Sequence, residues 1–325
     1  MKPVVSILVA AWNEAEYIQD FISDFINIMR QNEELIVVAG GTDKTYEKAK
    51  NMAGSNVYVL KQVKRGKNAA LNKGLKYSNG EIIVLTDADS KFSREGLDKL
   101  LRPILNGEED VTTGRVKPLK FLRENPFVLY QYAINYYVSS HYPKYLKGLQ
   151  GANIGMRKKV LDAIGGFDED IKTGTDYHLA KCLRREGFRI RFIKDCEVET
   201  EYPTRISDYI RRQSRWLRNT FFIGLKFGDR KEVKKNLMTF TVCSTMLLFP
   251  VLSLLVAQQL LYLWGVFAVG GIINRVRYVK FVEDFNKDIN FKKVYPRLFV
   301  YMLLDFFSGF IAVIDSILPW RRRKW

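Results

Sequence analysis

Apolar residues in the first hundred positions come in short runs separated by amphipathic stretches. The runs cover residues 4–10, 35–38, 57–60 and 82–85. Short runs rich in β-branched residues are typical of strands that are buried on both faces. The intervening stretches have helical periodicity, which in the first of them begins at Asn13-Glu14 and continues to Met29. Strands that alternate with helices predict an α/β fold with a mostly parallel sheet covered by helices.

Glycine and polar residues divide the second strand from the helix that follows it. Gly40-Gly41 ends the apolar run, and Thr42-Asp43 can cap the next helix. Residues 34–60 therefore fit one strand–helix–strand unit.

The C-terminal third has a different pattern, because residues 237–273 contain no Lys, Arg, Asp or Glu. A membrane-crossing helix needs about 20 apolar residues, so this stretch predicts a helical hairpin that spans a bilayer twice. Gln258-Gln259 could mark its turn, and Pro250 lies inside its first half. The alternative is a pair of buried core helices, although soluble cores rarely need so long a stretch without a charge.

Residues 298–320 form a second apolar stretch, which contains Asp305 and Asp315. A charge inside a membrane span is costly, so the stretch is either a third span or an interfacial helix. Lys and Arg flank the hairpin on both sides, which places both of its ends in the cytoplasm by the positive-inside rule. We therefore expect a multi-pass membrane protein with a cytoplasmic N-terminal domain. If 298–320 crosses the bilayer, the basic residues 321–324 lie outside, against that rule.

Residues 206–227 have apolar side chains at helical spacing and an arginine-rich opposite face. This pattern predicts a helix lying on the membrane before the hairpin. Three segments follow from these patterns: 1–205 as the α/β domain, 206–235 as an interface region and 236–325 as a membrane domain.

Composition adds a strong positive charge. The chain has 325 residues with 52 Lys+Arg against 35 Asp+Glu, a formal net charge of +17. Such an excess indicates a polyanionic partner: nucleic acid, an anionic membrane or phosphorylated substrates. The basic residues concentrate beside the apolar stretches, which argues against a nucleic-acid groove. Three separated cysteines and two histidines indicate neither a disulfide framework nor a zinc centre.

Candidate chemistry begins where the strand at 82–85 ends, in the sequence TDADS. Asp87 and Asp89 sit two residues apart at the carboxyl end of a buried strand, where open α/β sheets bind ligands. Their oxygens suit Mg²⁺ or Mn²⁺ with a bound diphosphate. An ordinary turn is the alternative for this pair.

Six motifs in order resemble the GT-A-fold glycosyltransferases of family 2, the group of cellulose synthase, hyaluronan synthase and ceramide glucosyltransferase. The resemblance covers roughly residues 3–220 and rests on AAWNEAEYI, VVAGGTDKT, RGKNAALNKG, TDADS, GANIGMRKKVLDAIGGFDED with TGTDYHLA, and RRQSRW. One departure concerns the nucleotide base, because Ala39-Gly40-Gly41 stands where many members have an acidic D-D-G-S element.

The resemblance implies a role for each matching residue. Asp89 would bind the divalent cation, Mg²⁺ or Mn²⁺, and Asp176 would be the base that deprotonates the acceptor. The implied nucleotide-sugar-binding residues are Ala11, Glu14, Gly40, Lys67 and Asp87. Those implied beside the acceptor and the leaving diphosphate are Arg212, Arg215 and Trp216.

Plainer roles are open for most of these residues. Lys67 could be solvated at a helix start, Glu14 could be an acid favoured by a helix dipole, and Asp176 could be a helix cap. Arg212, Arg215 and Trp216 could belong to a cationic, membrane-facing helix.

The leading interpretation is a membrane-anchored, inverting, metal-dependent glycosyltransferase. It would transfer a sugar from a nucleotide-diphospho-sugar to a lipid, lipid-linked or glycan acceptor at the cytoplasmic face. A processive polysaccharide synthase is the second interpretation, although the chain has few spans for a polymer channel. A basic membrane scaffold or nucleic-acid-binding protein is the remote third.

Overall fold

The computed structural model describes residues 4–63 and 66–317. In chain order its strands and helices are β1 Val5–Trp12, α1 Ile18–Ile28, β2 Glu33–Gly40, α2 Thr45–Lys50, β3 Val57–Lys61, α3 Lys67–Tyr77, β4 Ile82–Thr86, α4 Arg94–Leu105, β5 Val111–Pro118, α5 Pro126–Ser140, β6 Tyr145–Leu146, β7 Ile154–Arg157, α6 Lys158–Ala163, α7 Thr175–Arg185, β8 Ile190–Thr200, α8 Ile206–Lys226, α9 Arg230–Val256, α10 Leu260–Phe285 and α11 Leu298–Ile317.

The chain divides into two compact units. Unit 1 contains residues 1–119 and 139–201, and unit 2 contains residues 120–138 and 202–325. Most of α5 therefore packs with the C-terminal helices, although it lies early in the chain.

Unit 1 is built on an eight-stranded mixed sheet of order β3-β2-β1-β4-β7-β5-β8-β6. β1 pairs in parallel with β2 and β4, and β2 with β3. β7 is antiparallel to both β4 and β5, so β5 and its parallel neighbour β8 run in the same direction as β4. The carboxyl ends of β1, β4 and β8 therefore lie at one edge of the sheet.

The side chains of each central strand alternate between two apolar layers, because successive residues of a strand point to opposite faces. Ile7 and Val9 of β1 pack with α1 and α4, whereas Leu8 packs with α3 and α7. This two-sided burial explains why these strands read as unbroken apolar runs, and it confirms the predicted α/β architecture.

The first helix begins later than its sequence pattern predicts. The pattern opens at Asn13, but α1 starts at Ile18. Asn13 has a φ of +61°, in the left-handed region that a right-handed helix excludes. Residues 13–17 thus form a connecting segment at the end of β1, at the sheet edge described above.

Within the described part of unit 2, three helices are long and apolar enough to cross a membrane: Arg230–Val256, Leu260–Phe285 and Tyr295–Ser316. The first two form the predicted hairpin, and residues 257–259 between them include Gln258-Gln259. Leu255, Val256 and Tyr262 are 78–80% exposed near the turn. Such a concentration of exposed apolar side chains is typical of lipid contact rather than of a buried core pair.

The two aspartates of α11 have partners inside unit 2. The Asp305 carboxylate lies 2.5 Å from Arg275 Nη2 of α10 and accepts hydrogen bonds from the hydroxyls of Tyr130 and Tyr209. Asp315 is buried beside Ser214 of α8, whose hydroxyl lies 3.5 Å from Oδ2. These contacts reduce the energetic cost of placing Asp305 and Asp315 within a membrane-spanning helix, which was the argument against a third span. The basic cluster 321–324, together with the end of the 298–320 stretch, lies outside the described residues.

Helix α8 packs against α9 and α11, so it is part of the helical core of unit 2 as well as amphipathic. The arginines of this helix differ in burial, because Arg218 is 8% exposed. Arg211 is exposed and lies 3.9 Å from Asp208.

Candidate functional site

Acidic residues gather at the carboxyl edge of the sheet in unit 1. Asp87 and Asp89 follow β4, Glu14 follows β1, and Glu201 follows β8. The segment after β4 is tied to β8 by the paired backbones of Lys91 and Glu199. Asp89 Oδ1 consequently accepts a hydrogen bond from Thr200 Oγ1 at 3.3 Å.

Lys67, the first residue of α3, places its ammonium group against the Asp87 carboxylate. Both side chains remain more than a third exposed. The surrounding residues remove part of the hydration of the Lys67 ammonium group, which opposes its charged form, but Asp87, Asp176 and Asp89 together raise its pKa above the usual value. The site therefore contains a permanent cation among carboxylates, an arrangement that suits an anionic ligand with a bound metal ion.

The Glu14 carboxyl has an abnormal pKa of about 7. Burial is the largest cause, followed by repulsion from Asp89, Glu201 and Asp87. Its backbone is fixed, because Glu14 N donates to Thr45 Oγ1 at 2.8 Å. Burial and the neighbouring carboxylates thus both oppose ionisation of Glu14.

A divalent cation fits this donor set only with further ligands. Among the described residues, no three His, Cys, Asp or Glu side chains are grouped closely enough to hold an ion by themselves. Magnesium-like ions are usually held by one or two carboxylates together with substrate phosphates and water. Asp89 and Asp87 match that mode, and the repulsion acting on Glu14 is what such a cation would relieve.

Asp176 is the second residue of α7 and lies in its first turn. Gly174, just before the helix, has a φ of +79°. Burial raises the pKa of the Asp176 carboxyl, against the opposing effects of the Tyr177 N–H, 2.9 Å from Oδ1, and of Lys67. A Cβ atom at Gly151 would lie 3.3 Å from Asp176 Oδ2, so glycine leaves room beside the carboxylate. A carboxylate with a raised pKa is a stronger base than an exposed one.

The loop after β2 is fitted closely to the end of β1. Thr42 N donates to Asn13 Oδ1 at 2.7 Å, and a Cβ at Gly41, whose φ is +129°, would collide with that same oxygen. At Gly40 a Cβ would lie 2.9 Å from Gln62 Cβ. Ala11 is fully buried and belongs to the apolar layer on the α1 and α4 side of the sheet.

The three predicted residues Arg212, Arg215 and Trp216 belong to α8 in unit 2. The Arg212 guanidinium stacks on Trp216, 4.7 Å from the ring centroid, and on Tyr202 at 5.5 Å. Trp216 is 38% exposed, and Arg215 is half-buried. Two aromatic contacts thus restrict the Arg212 side chain.

Trp216 also lines a cavity of about 420 Å³ inside unit 2. Its wall combines apolar side chains with a few polar groups, among them Gln213, Asn135 and Asp305. The apolar members are Ile134, Trp216, Leu217, Met238, Val242, Cys243 and Phe306. A mostly apolar cavity with few polar groups is typical of a site for an amphiphilic ligand.

The structure thus places Glu14 and Lys67 each within electrostatic range of Asp87 and Asp89, and it places Asp176 within range of Lys67 and Asp87. The motif analysis missed Thr200 and Glu201, which reach the same edge from β8. The available signal was their position at the end of a strand, in the sequence EVETEY, where Thr200 is the last residue of β8 and Glu201 follows it. Asn13 was missed as a loop-holding residue, although asparagine is enriched at positive φ.

Comparison with known proteins identifies a family that the chain matches. Residues 6–165 match the model for "Glycosyl transferase family 2". The chain is 22% identical to "Probable glycosyltransferase YdaM" of Bacillus subtilis over 69% of its own length and 57% of the relative's. It is 22% identical to "Poly-beta-1,6-N-acetyl-D-glucosamine synthase" of Staphylococcus aureus over 80% and 62%. It is 32% identical to "Dolichol-phosphate mannosyltransferase" of Pyrococcus furiosus over 32% and 31%. The chain therefore spans from about a third to under two thirds of these relatives.

Among solved structures, the chain resembles "Mannosyltransferase PcManGT from Pyrobaculum calidifontis in complex with GDP-Man and Mn2+". The TM-score is 0.58 at 18% identity, and the match covers 98% of this chain and 88% of the other. At this identity the likeness shows a common fold.

Proposed function

The chain belongs to glycosyl transferase family 2, and from this premise we propose that it is an inverting, membrane-anchored hexosyltransferase. The proposed donor is a nucleotide-diphospho-sugar bound with Mg²⁺ or Mn²⁺. The proposed acceptor is a lipid or lipid-linked molecule at the cytoplasmic face. The observation that carries the proposal is the cluster of carboxylates with one lysine at the carboxyl edge of the sheet.

The donor half of the proposal rests on charge. Asp89 and Asp87 would hold the cation, and the cation would neutralise the diphosphate as it leaves. Lys67 supplies a second positive charge at the same edge, beside Asp87. The structural neighbour solved with GDP-Man and Mn2+ has the same fold and supports this ligand class. Glu14, Gly40 and the backbone of Ala11 belong to the proposed nucleotide side.

The acceptor half rests on Asp176. Its carboxylate would accept the proton of the acceptor hydroxyl as that oxygen bonds to the anomeric carbon and the diphosphate departs. One base and one direct displacement invert the configuration of that carbon. The raised pKa of Asp176 strengthens it as a base, and the small Gly151 leaves space for an acceptor beside Oδ2.

The lipid nature of the acceptor is supported by unit 2. The cavity lined by Trp216 lies among helices apolar enough to cross a membrane, and it combines an apolar wall with polar groups. A hydrocarbon chain fits the wall, and Arg212, Arg215 and Trp216 would interact with the polar end of the acceptor or with the leaving diphosphate. The division into 1–205, 206–235 and 236–325 and the cytoplasmic orientation remain predictions.

A processive polysaccharide synthase is the second candidate. The R-x-x-R-W motif and the similarity to "Poly-beta-1,6-N-acetyl-D-glucosamine synthase" favour it. The two candidates differ in their product, because the first adds one sugar to a lipid and the second makes a polymer.

The test is a panel of sugar nucleotides assayed with a membrane lipid extract, the full-length protein and Mg²⁺ or Mn²⁺. We expect nucleotide release with at least one donor and a lipid product one hexose heavier by mass spectrometry. Asp89→Asn or EDTA should abolish both, whereas the exposed control Asp162→Asn should leave them intact. Full activity of Asp89→Asn in excess chelator would contradict the proposed metal site, and a polymeric product would favour the synthase.

A further inference from the structure

The start of α3 presents polar side chains to two parts of unit 1. Lys67 contacts Asp87 on the proposed donor side. The next residue, Asn68, is 2% exposed and faces the segment that leads to Asp176. A single turn of helix therefore contacts both the donor-side carboxylate and the chain that holds the proposed base.

Asn68 uses both ends of its amide on this segment. Thr175 Oγ1 donates to Asn68 Oδ1 at 2.6 Å, and Asn68 Nδ2 donates to the carbonyl oxygen of Asp168 at 2.6 Å. The amide thus joins the two ends of residues 168–175. Because Thr175 precedes Asp176 directly, the bond to Asn68 fixes the backbone from which the Asp176 side chain extends.

Asn72, one turn further along α3, holds the beginning of the same segment. Its Oδ1 accepts from Phe167 N at 2.9 Å, and its Nδ2 donates to Phe167 O at 2.8 Å. A Cβ at Gly166, whose φ is +79°, would lie 2.8 Å from Asn72 Oδ1. Asn72 therefore anchors the segment at a point far along the chain from Asp176, which makes it a matched control for Asn68.

We infer that Asn68 is a positioning residue for Asp176, and that it acts through Thr175 to align the base with the nucleotide sugar bound near Lys67. The inference rests on the proposed function, in which Asp176 is the base. Helix α3 carries both Lys67 and Asn68, and Asn68 holds the backbone next to Asp176. The helix therefore fixes the position of the proposed base relative to Lys67. This relation matters because reacting atoms must lie about 3–3.5 Å apart, and a misplacement of about 1 Å can cost about a hundredfold in rate.

Thr175→Val tests the inference with the smallest change, because it removes the hydroxyl that reaches Asn68 and keeps a β-branched side chain of similar size. We expect kcat to fall at least about tenfold while the KM for the sugar nucleotide changes less than about threefold. Affinity for GDP and UDP with Mn²⁺, measured by calorimetry, should stay close to that of the wild type. Thr175→Ser, which keeps the hydroxyl, should restore most of kcat.

Asn72→Ala separates positioning from stability. It should lower the melting temperature, because it leaves the backbone groups of Phe167 without their partners. Its kcat should remain within about threefold of wild type in the folded protein. Asn68→Ala should resemble Thr175→Val in kcat and Asn72→Ala in melting temperature.

The outcomes separate this inference from the proposed function. Loss of transfer in Asp176→Asn together with wild-type kcat in Thr175→Val would overturn the positioning role and leave the proposed function standing. Transfer by Asp176→Asn at the wild-type rate would remove the base assignment itself. Equal losses of kcat in Thr175→Val, Thr175→Ser and Asn72→Ala would show a general packing effect and would also overturn the inference.

Discussion

The carboxylates of the two units have different surroundings. In unit 1, burial first and then repulsion from Asp89, Glu201 and Asp87 raise the pKa of Glu14 to about 7. In unit 2, the Asp305 carboxylate has the Arg275 guanidinium at 2.5 Å and two tyrosine hydroxyls as donors. In the first arrangement like charges lie close to one another, and in the second a carboxylate is paired with a guanidinium.

Ligand sites and structural ion pairs differ in whether the charges of the site are paired. A balanced pair among apolar helices joins elements and leaves little charge for a ligand. A repulsive cluster is maintained at a cost to stability, which is typical of a functional site. We therefore expect changes in the cluster to affect binding and turnover, and changes in the pair to affect folding.

The largest expected effect is on transfer in Asp176→Asn, and it distinguishes the proposed acceptor-side carboxylate from the donor-side carboxylates. Asp176→Asn should lower transfer about a thousandfold, since general-base catalysis contributes roughly 10²–10⁴. Affinity for GDP or UDP with Mn²⁺ should stay nearly unchanged, because the base acts on the acceptor. Calorimetry beside a turnover assay checks this. A loss of nucleotide affinity as large as that of Asp89→Asn would move Asp176 to the donor side.

A smaller effect tests whether unit 2 serves the reaction as well as the membrane. Arg215→Gln and Trp216→Ala should each lower turnover about a hundredfold, as for a removed positioned charge or binding platform. Arg211→Gln is the matched control, because Arg211 is exposed and surface arginines are interchangeable for lipid attraction. Arg218 is unsuitable for that purpose, since it is buried. Equal and mild losses in all three variants would reduce α8 to an anchor.

The ion pair of unit 2 gives the converse test. Asp305→Asn should destabilise the protein by about 3–5 kcal/mol, because it leaves the buried Arg275 charge uncompensated. Thermal unfolding in detergent measures the loss, and Arg275→Met in the same chain should recover part of it. Affinity for GDP or UDP with Mn²⁺ should persist in the folded fraction. Selective loss of that affinity, with the melting temperature unchanged, would contradict the division between the units.

The smallest expected effect concerns pH. The pKa of Glu14 is raised from 4.5 to about 7, so the folded state favours the protonated carboxyl. The stability it contributes is fully present below about pH 4.5 and is lost as the pH rises through 7. In EDTA, Glu14→Gln should therefore reduce the drop in melting temperature between pH 5 and pH 8 by roughly a few degrees. An identical drop in both proteins would show that Glu14 titrates normally.

Local patterns predicted much of the architecture. The four early strands and the apolar hairpin follow from periodicity and length, which are properties of neighbouring residues. Asp87 and Asp89 were found because they adjoin a strand, and the structure adds the contact of Asp87 with Lys67. Sequence pattern placed the start of α1 too early, since periodicity does not report the φ of +61° at Asn13.

Long-range pairing escaped the sequence for a physical reason. Thr200 reaches Asp89 because the segment after β4 pairs with β8, although β7 and β5 lie between those two strands in the sheet. No local pattern encodes that order. The pairing of Arg275 with Asp305 likewise depends on how α10 and α11 pack, so each appeared as an isolated charge beside or within an apolar stretch. Burial of Arg218 has the same origin.

The two partners of the ion pair between α10 and α11 are synthesised at different times. The ribosome delivers Arg275 before Asp305, so the hairpin leaves the ribosome with a guanidinium whose carboxylate has not been made. Tyr130, already synthesised, can accept the Arg275 Nε–H, at 2.7 Å in the finished fold. The third helix then completes the charge balance as it packs against α10. A chain truncated after α10 would keep the cation without its anion, so we expect it to be less stable than the chain that contains α11.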